Sequence, residues 1–208
     1  MNINHYDSFI SNYEREYIKT YVKELVNVLI EDGFKSNEPN IHIETLLKEL
    51  RGISLSYDFS KTAISKKIAT YQGAEINTID RLLIDIRNRI VSVLKISSEN
   101  SFLQIVGSDK NGIVNAHYDA SISGYINFKC NIHIAGDDYI STIDNKQFNI
   151  TTGDLYTFEA SLFKHSTSIL TSERIILSYG FLIPYNELGW KETDPRIRMS
   201  ERISKYLQ

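Results

Sequence analysis

The stretch Ile126-Asn127-Phe128-Lys129-Cys130-Asn131-Ile132-His133-Ile134 alternates apolar and polar residues without a break. Successive side chains of an extended chain point to opposite faces, so this pattern predicts a β-strand over residues 126–134. One face is apolar; the other carries Asn127, Lys129, Asn131 and His133. The same period of two recurs after residue 100 and predicts further strands at 102–106, 139–143, 154–158 and 174–183. Turn signals such as Lys110-Asn111-Gly112 and Ala135-Gly136-Asp137 separate them. Several short strands joined by turns predict a sandwich or jelly roll.

Before residue 100 the period is helical. Tyr17, Ile18, Tyr21, Val22, Leu25, Val28 and Leu29 form one apolar stripe and predict a helix over 13–30, with Gly33 at the C-cap position. A second helix is expected over 43–50, stopped by Gly52. A third is expected over 79–94, with Thr78 as N-cap and Asp80 in its first turn. A weak helical signal runs from 197 to 207. Helices first and strands after predict an α+β fold, a helical layer packed on a jelly-roll core. The expected organisation is one domain: 1–98 as helical support, 99–185 as the core, and 186–208 as a tail.

Composition agrees with that architecture. A chain of 208 residues with 42% hydrophobic and 24% charged residues can bury one core. A net charge of -3 provides neither a basic nucleic-acid surface nor the acidic excess of a disordered chain. The single cysteine, Cys130, excludes a disulfide framework and a cysteine-based zinc finger. No secretory signal begins the chain, and no stretch approaches the ~20 apolar residues of a membrane helix. The expectation is a soluble cytoplasmic protein without nucleic-acid or membrane partners.

Five histidines remain to be placed. In His117-Tyr118-Asp119 a histidine and a carboxylate lie two apart, so on extended chain both reach one metal. With 26 acidic residues such pairs arise by chance, and His5-Tyr6-Asp7 is one. That copy lies at a terminus expected to be poorly ordered. His117 and Asp119 differ in their downstream context. His165 follows near the start of a strand, and Arg174 comes nine residues later beside Ile175-Ile176-Leu177. An arginine in an apolar strand is costly unless its charge is paired, and its fork suits a carboxylate. The order is the plan of a two-histidine, one-carboxylate face on iron(II) with an anion clamp beside it.

With these residues the sequence resembles the iron(II)/2-oxoglutarate-dependent dioxygenases over about residues 102–184. Within them it looks most like the aspartyl/asparaginyl and proline hydroxylase group. The residues that carry the resemblance are Ala116-His117-Tyr118-Asp119, the strand from Asn127 to His133, Thr152-Gly153-Asp154 leading to Tyr156-Thr157-Phe158, then His165 and Arg174. That group usually has Arg-x-His on the strand after the first histidine, where this chain has Lys129, Asn131 and His133.

The resemblance implies a double-stranded β-helix core of the cupin type. It implies iron(II) on His117, Asp119 and His165, with 2-oxoglutarate and O2 as co-substrates. It assigns the far carboxylate of 2-oxoglutarate to Arg174 and offers His133 as a further co-substrate contact; strand parity puts Ser178 on the same face as Arg174, as a support for the same anion. Gln104, Lys129 and Asn131 are candidate pocket residues. The implied reaction is hydroxylation of a small-molecule substrate, an amino acid or a peptide side chain. Related halogenases replace the carboxylate with a small residue, so Asp119 implies an oxidation without halide. Two other readings stay open: a cupin-like metal-binding module without turnover, and a metal enzyme independent of 2-oxoglutarate. Substrate identity and oligomeric state are not legible.

Overall fold

The computed structural model describes residues 3–31, 54–58, 76–96, 101–108, 110–120 and 122–206. The expected helix over 43–50 and the glycine at 33 lie outside these residues. The elements run β1 (Asn4–Tyr6), α1 (Asn12–Glu31), β2 (Ser54–Asp58), α2 (Ile76–Leu94), β3 (Ser101–Ser108), β4 (Tyr125–Ala135), β5 (Tyr139–Ile143), β6 (Lys146–Ile150), β7 (Leu155–Glu159), β8 (His165–Thr167) and β9 (Arg174–Pro184). A 3-10 turn (Tyr185–Leu188) and α3 (Pro195–Tyr206) follow.

All strand pairs are antiparallel, in a six-stranded sheet ordered β1-β7-β4-β9-β3-β2 and a three-stranded sheet ordered β6-β5-β8. Residues 112–119 extend the smaller sheet. Their backbone bonds to residues 165–170 run through Leu170 N to Gly112 O, Thr167 N to Val114 O and His165 N to His117 O. Mixed helix and antiparallel sheet with a jelly-roll core is the fold that the strand pattern predicts.

The alternation in β4 explains the layering, and both faces of β4 are buried over most of its length. The apolar face packs against helices: Phe128, Cys130, Ile132 and Ile134 share a core with Ile18, Tyr21 and Val22 of α1 and Leu83, Ile86 and Ile90 of α2. The polar face turns inward between the sheets, where Lys129 and His133 are buried. Burial of polar side chains is tolerated there because they bond to one another or line a cavity. A second apolar cluster, including Tyr139, Ile143, Tyr156, Phe158 and Ile176, fills the rest of that interior.

Local signals account for most boundaries. Ser11 caps α1: its Oγ accepts the Glu14 N–H at 3.2 Å, and Glu14 Oε2 accepts the Ser11 N–H at 2.8 Å, a capping box. Helix α2 starts at Ile76, so Thr78 lies within its first turn and is not the N-cap; the apolar stripe that suggested the boundary begins a turn later. Strands β1, β2 and β6 were not anticipated, and β8 only as a strand near His165. The β5–β6 turn has Asp144 and Asn145 at φ 49° and 64°, a two-residue turn without the usual glycine. The N-terminus is also not loose, since β1 pairs with β7 and His5 Nε2 meets Asp154 Oδ2 at 2.9 Å.

Candidate metal centre

His117 and His165 are brought together by the sheet itself. Each accepts the other's backbone N–H, at 3.0 and 2.9 Å. Residues that exchange both bonds stand directly opposite on neighbouring strands, with their side chains on one face. The imidazole centroids are 4.3 Å apart. Asp119 is fixed from a third direction, its N–H donating to the carbonyl of Ala160 at 3.0 Å.

The ring orientations suit ligation. His117 Nδ1 lies 2.7 Å from the carbonyl of Asn115, and His165 Nδ1 lies 3.0 Å from that of Phe163. A carbonyl can only accept, so in the neutral ring each Nδ1 carries the proton and each Nε2 keeps a lone pair. Both Nε2 atoms face Asp119 Oδ1, at 3.2 Å from His117 and 3.4 Å from His165. Ligands about 2.1 Å from a metal and at right angles lie about 3 Å apart. The three ligand atoms therefore have the spacing of a facial triad, and they form one of two such groups among the described residues. Without a metal, an Nε2 that is protonated donates to this carboxylate; burial alone would raise the Asp119 carboxyl, but such hydrogen bonds from the two rings and the charge of Lys129 outweigh it and hold the group far below the usual carboxylate range. The bond to Asp119 pushes the His117 imidazole up despite partial burial. The donor set of two nitrogens and one oxygen fits a divalent transition metal.

A cavity of about 150 Å3 opens beside the triad, and its wall includes Gln104, Lys129, Asn131, Arg174 and Ser178. Strand parity explains this convergence. Gln104 of β3 pairs with Ser178 of β9, and Ser178 pairs with Asn131 of β4, so the three stand side by side on the interior face. Arg174 begins β9 on the same face and is 3% exposed. Its guanidinium stacks on the Tyr139 ring at 4.7 Å. Its Nη2 donates weakly to Ser108 Oγ at 3.5 Å, while Nε and Nη1 are buried without a partner. Asn131 Oδ1 is likewise unpartnered. Buried donors are rarely left unmade without a ligand to meet them.

His133 stands apart from the other sequence candidates. It is fully buried, but it is not part of the cavity wall. A bulge between His133 and Ala135 turns the ring back on its own strand, and Nε2 meets the Ala135 carbonyl at 2.9 Å. Burial holds this imidazole below its ordinary value, helped by the charge of Arg174. Tyr156 lines the cavity and Tyr139 bonds to it, and the sequence singled out neither as a pocket residue. Their hydroxyls are 3.1 Å apart, and Asn131 Nδ2 donates to Tyr156 at 3.1 Å. Thirteen tyrosines offer no signal that selects these two; tertiary position does.

Comparison with solved structures places this fold. A prolyl 4-hydroxylase from Pseudomonas putida superposes with a TM-score of 0.53 at 11% identity, over 87% of this chain and 92% of that one. Prolyl 4-hydroxylases from Phytophthora capsici give a TM-score of 0.56 at 12% identity, over 88% of this chain and 58% of that one. At these identities the likeness is one of fold. No protein-family model matches the sequence, and no curated protein matches it. Among the described residues no helix is long and apolar enough to cross a membrane.

Proposed function

We propose that this protein is an iron(II)- and 2-oxoglutarate-dependent oxygenase that hydroxylates an unactivated C–H bond. The substrate class is a free amino acid, an amino-acid-derived small molecule, or a peptide side chain. The observation that carries this reading is the pairing of a facial triad with a buried arginine whose Nε and Nη1 lack partners, on the wall of one small cavity. A cupin-like binding module would have no need of that unpaired cation.

In this reading His117, Asp119 and His165 hold the metal through Nε2, Oδ1 and Nε2. Arg174 receives the far carboxylate of 2-oxoglutarate on its free donors, with Ser178 and Asn131 beside it on the interior face. Phe158 and Ile176 give the same wall an apolar flank. When bound, iron(II) with 2-oxoglutarate and O2 supplies the oxidation: one oxygen atom enters the C–H bond and the other enters succinate, with release of CO2. The protein contributes position and charge.

The test is succinate formation from 2-oxoglutarate with iron(II), ascorbate and a panel of amino acids and peptides. Succinate that rises with one substrate class supports the proposal. Absence of succinate across the panel would count against it. In His165→Ala, metal binding measured by calorimetry should be lost together with turnover, and full activity in that variant would sink the metal assignment.

A further inference from the structure

We propose that Lys129 is a positioning residue of the metal centre: its ammonium holds Oδ2 of Asp119, so that Oδ1 is the single oxygen presented to the metal. This inference rests on the metal-centre reading and goes beyond it in assigning the binding mode of the carboxylate.

The two oxygens of Asp119 face different partners. Oδ1 lies 3.2 and 3.4 Å from the two histidine Nε2 atoms. Oδ2 lies 3.5 Å from Lys129 Nζ. A carboxylate whose second oxygen is held by a cation can swing into two-oxygen chelation only by giving up that contact. Outer partners of this kind orient ligands and set affinity.

Lys129 is itself firmly held. It sits on β4 between β7 and β9, opposite Phe158 and Gly180, and is 6% exposed. Its Nζ donates to Gln104 Oε1 at 3.1 Å and lies 4.7 Å from the centroid of the Phe102 ring. That ring has room because Gly180 is bare; a Cβ there would overlap it. The ammonium has three N–H groups, and Gln104, Asp119 and the Phe102 face account for three directions. No donor is left over for a substrate anion, so Lys129 acts through Asp119. Burying a lysine is expensive, and an apolar residue at this interior position would fill the space at lower cost. The contact with Asp119 is a reason for its presence.

The experiment is cobalt(II) titration of the metal-free wild type, Lys129→Met and Lys129→Gln, followed by calorimetry and by the visible cobalt spectrum. Thermal midpoints of the metal-free proteins are measured alongside. Lys129→Met should bind about 10–100-fold more weakly, with a changed spectrum as the carboxylate becomes free to chelate. Lys129→Gln still donates to Oδ2 and should fall between the two. The metal-free midpoints are compared between the variants, because loss of the cation leaves Asp119 Oδ2 and Gln104 Oε1 without that partner. Wild-type affinity and spectrum in Lys129→Met would overturn the inference. So would equal losses in both variants with equal falls in their metal-free midpoints, which would mark a folding role. If Lys129→Met does not fold, Gln104→Leu carries the test: it removes one holder of the ammonium, and unchanged cobalt affinity and spectrum there would also overturn the inference. A wild-type protein that binds no cobalt(II) would instead sink the metal-centre reading beneath it.

Discussion

Arg174 was conspicuous in the sequence because a charge beside Ile175-Ile176-Leu177 needs a partner. In the fold its Nε and Nη1 are still without one, which is the ground for proposing it as the anion contact. Arg174→Lys keeps the charge and loses the planar fork. A charge-assisted hydrogen bond is worth roughly 1.5–3 kcal/mol, so the KM for 2-oxoglutarate should rise about 10–150-fold while cobalt(II) affinity stays unchanged. Succinate assays and calorimetry would read the two parameters separately; a parallel loss of metal affinity would refute this division of roles. Glu159 shows the opposite case, a buried carboxyl invisible to pattern reading. Burial pushes it above the usual range against the Trp190 Nε1 donor at 3.2 Å, and its Oε2 has no partner. A raised carboxyl adds stability at low pH that is lost as pH rises through its folded value. Glu159→Gln should therefore leave the thermal midpoint unchanged at pH 4 and raise it at pH 8. No difference between the two pH values would refute the argument.

At the scale of elements, alternation predicted β4 and its two faces, yet could not say what each face would meet. Strand β1 was missed because three residues carry too little periodicity to be read. It is held through side chains instead. Asp154 accepts from His5, from the backbone of Ser8 at 3.2 Å, and from Thr151 N at 3.1 Å and Oγ1 at 2.8 Å. Burial opposes these bonds, but together they hold the Asp154 carboxyl below its ordinary 3.8. A lowered carboxyl contributes stability that is full above its unfolded value and fades as pH falls through the folded one. Asp154→Ala should cost about 1–3 kcal/mol at pH 7 by urea unfolding, and that difference should shrink below about pH 3.8. A penalty that does not change with pH would show that the charge of Asp154 is not what holds β1.

On the scale of the whole molecule, two apolar clusters sandwich the larger sheet: one lies beneath α1 and α2, the other between the sheets around the cavity. A metal and a dicarboxylate that bind the folded state alone should stabilise it by mass action, by about 2.7 kcal/mol at a concentration of 100 times Kd. Thermal midpoints should rise with cobalt(II) and again with 2-oxoglutarate. His165→Ala should abolish the first step, and Arg174→Lys should weaken the second. A rise with 2-oxoglutarate in the absence of metal would contradict the shared site.

Local periodicity determined that residues 126–134 form a strand and that a largely helical pattern gives way to strands near residue 100, and the His-x-Asp spacing with a downstream histidine and arginine marked His117, Asp119, His165 and Arg174 as the residues to watch. Those are properties of neighbours along the chain, which hydrophobic spacing and the cost of a charge among apolar residues reveal. Tertiary structure alone decided the rest. The pairing of His117 with His165 brought the two imidazoles together, and the inward turn of the polar face of β4 carried Lys129 to Asp119. A bulge turned His133 away from the cavity wall, and sheet packing chose Tyr156 for that wall from thirteen tyrosines. These facts depend on register and on which sheet face is covered by which element, and residues far apart in sequence settle both.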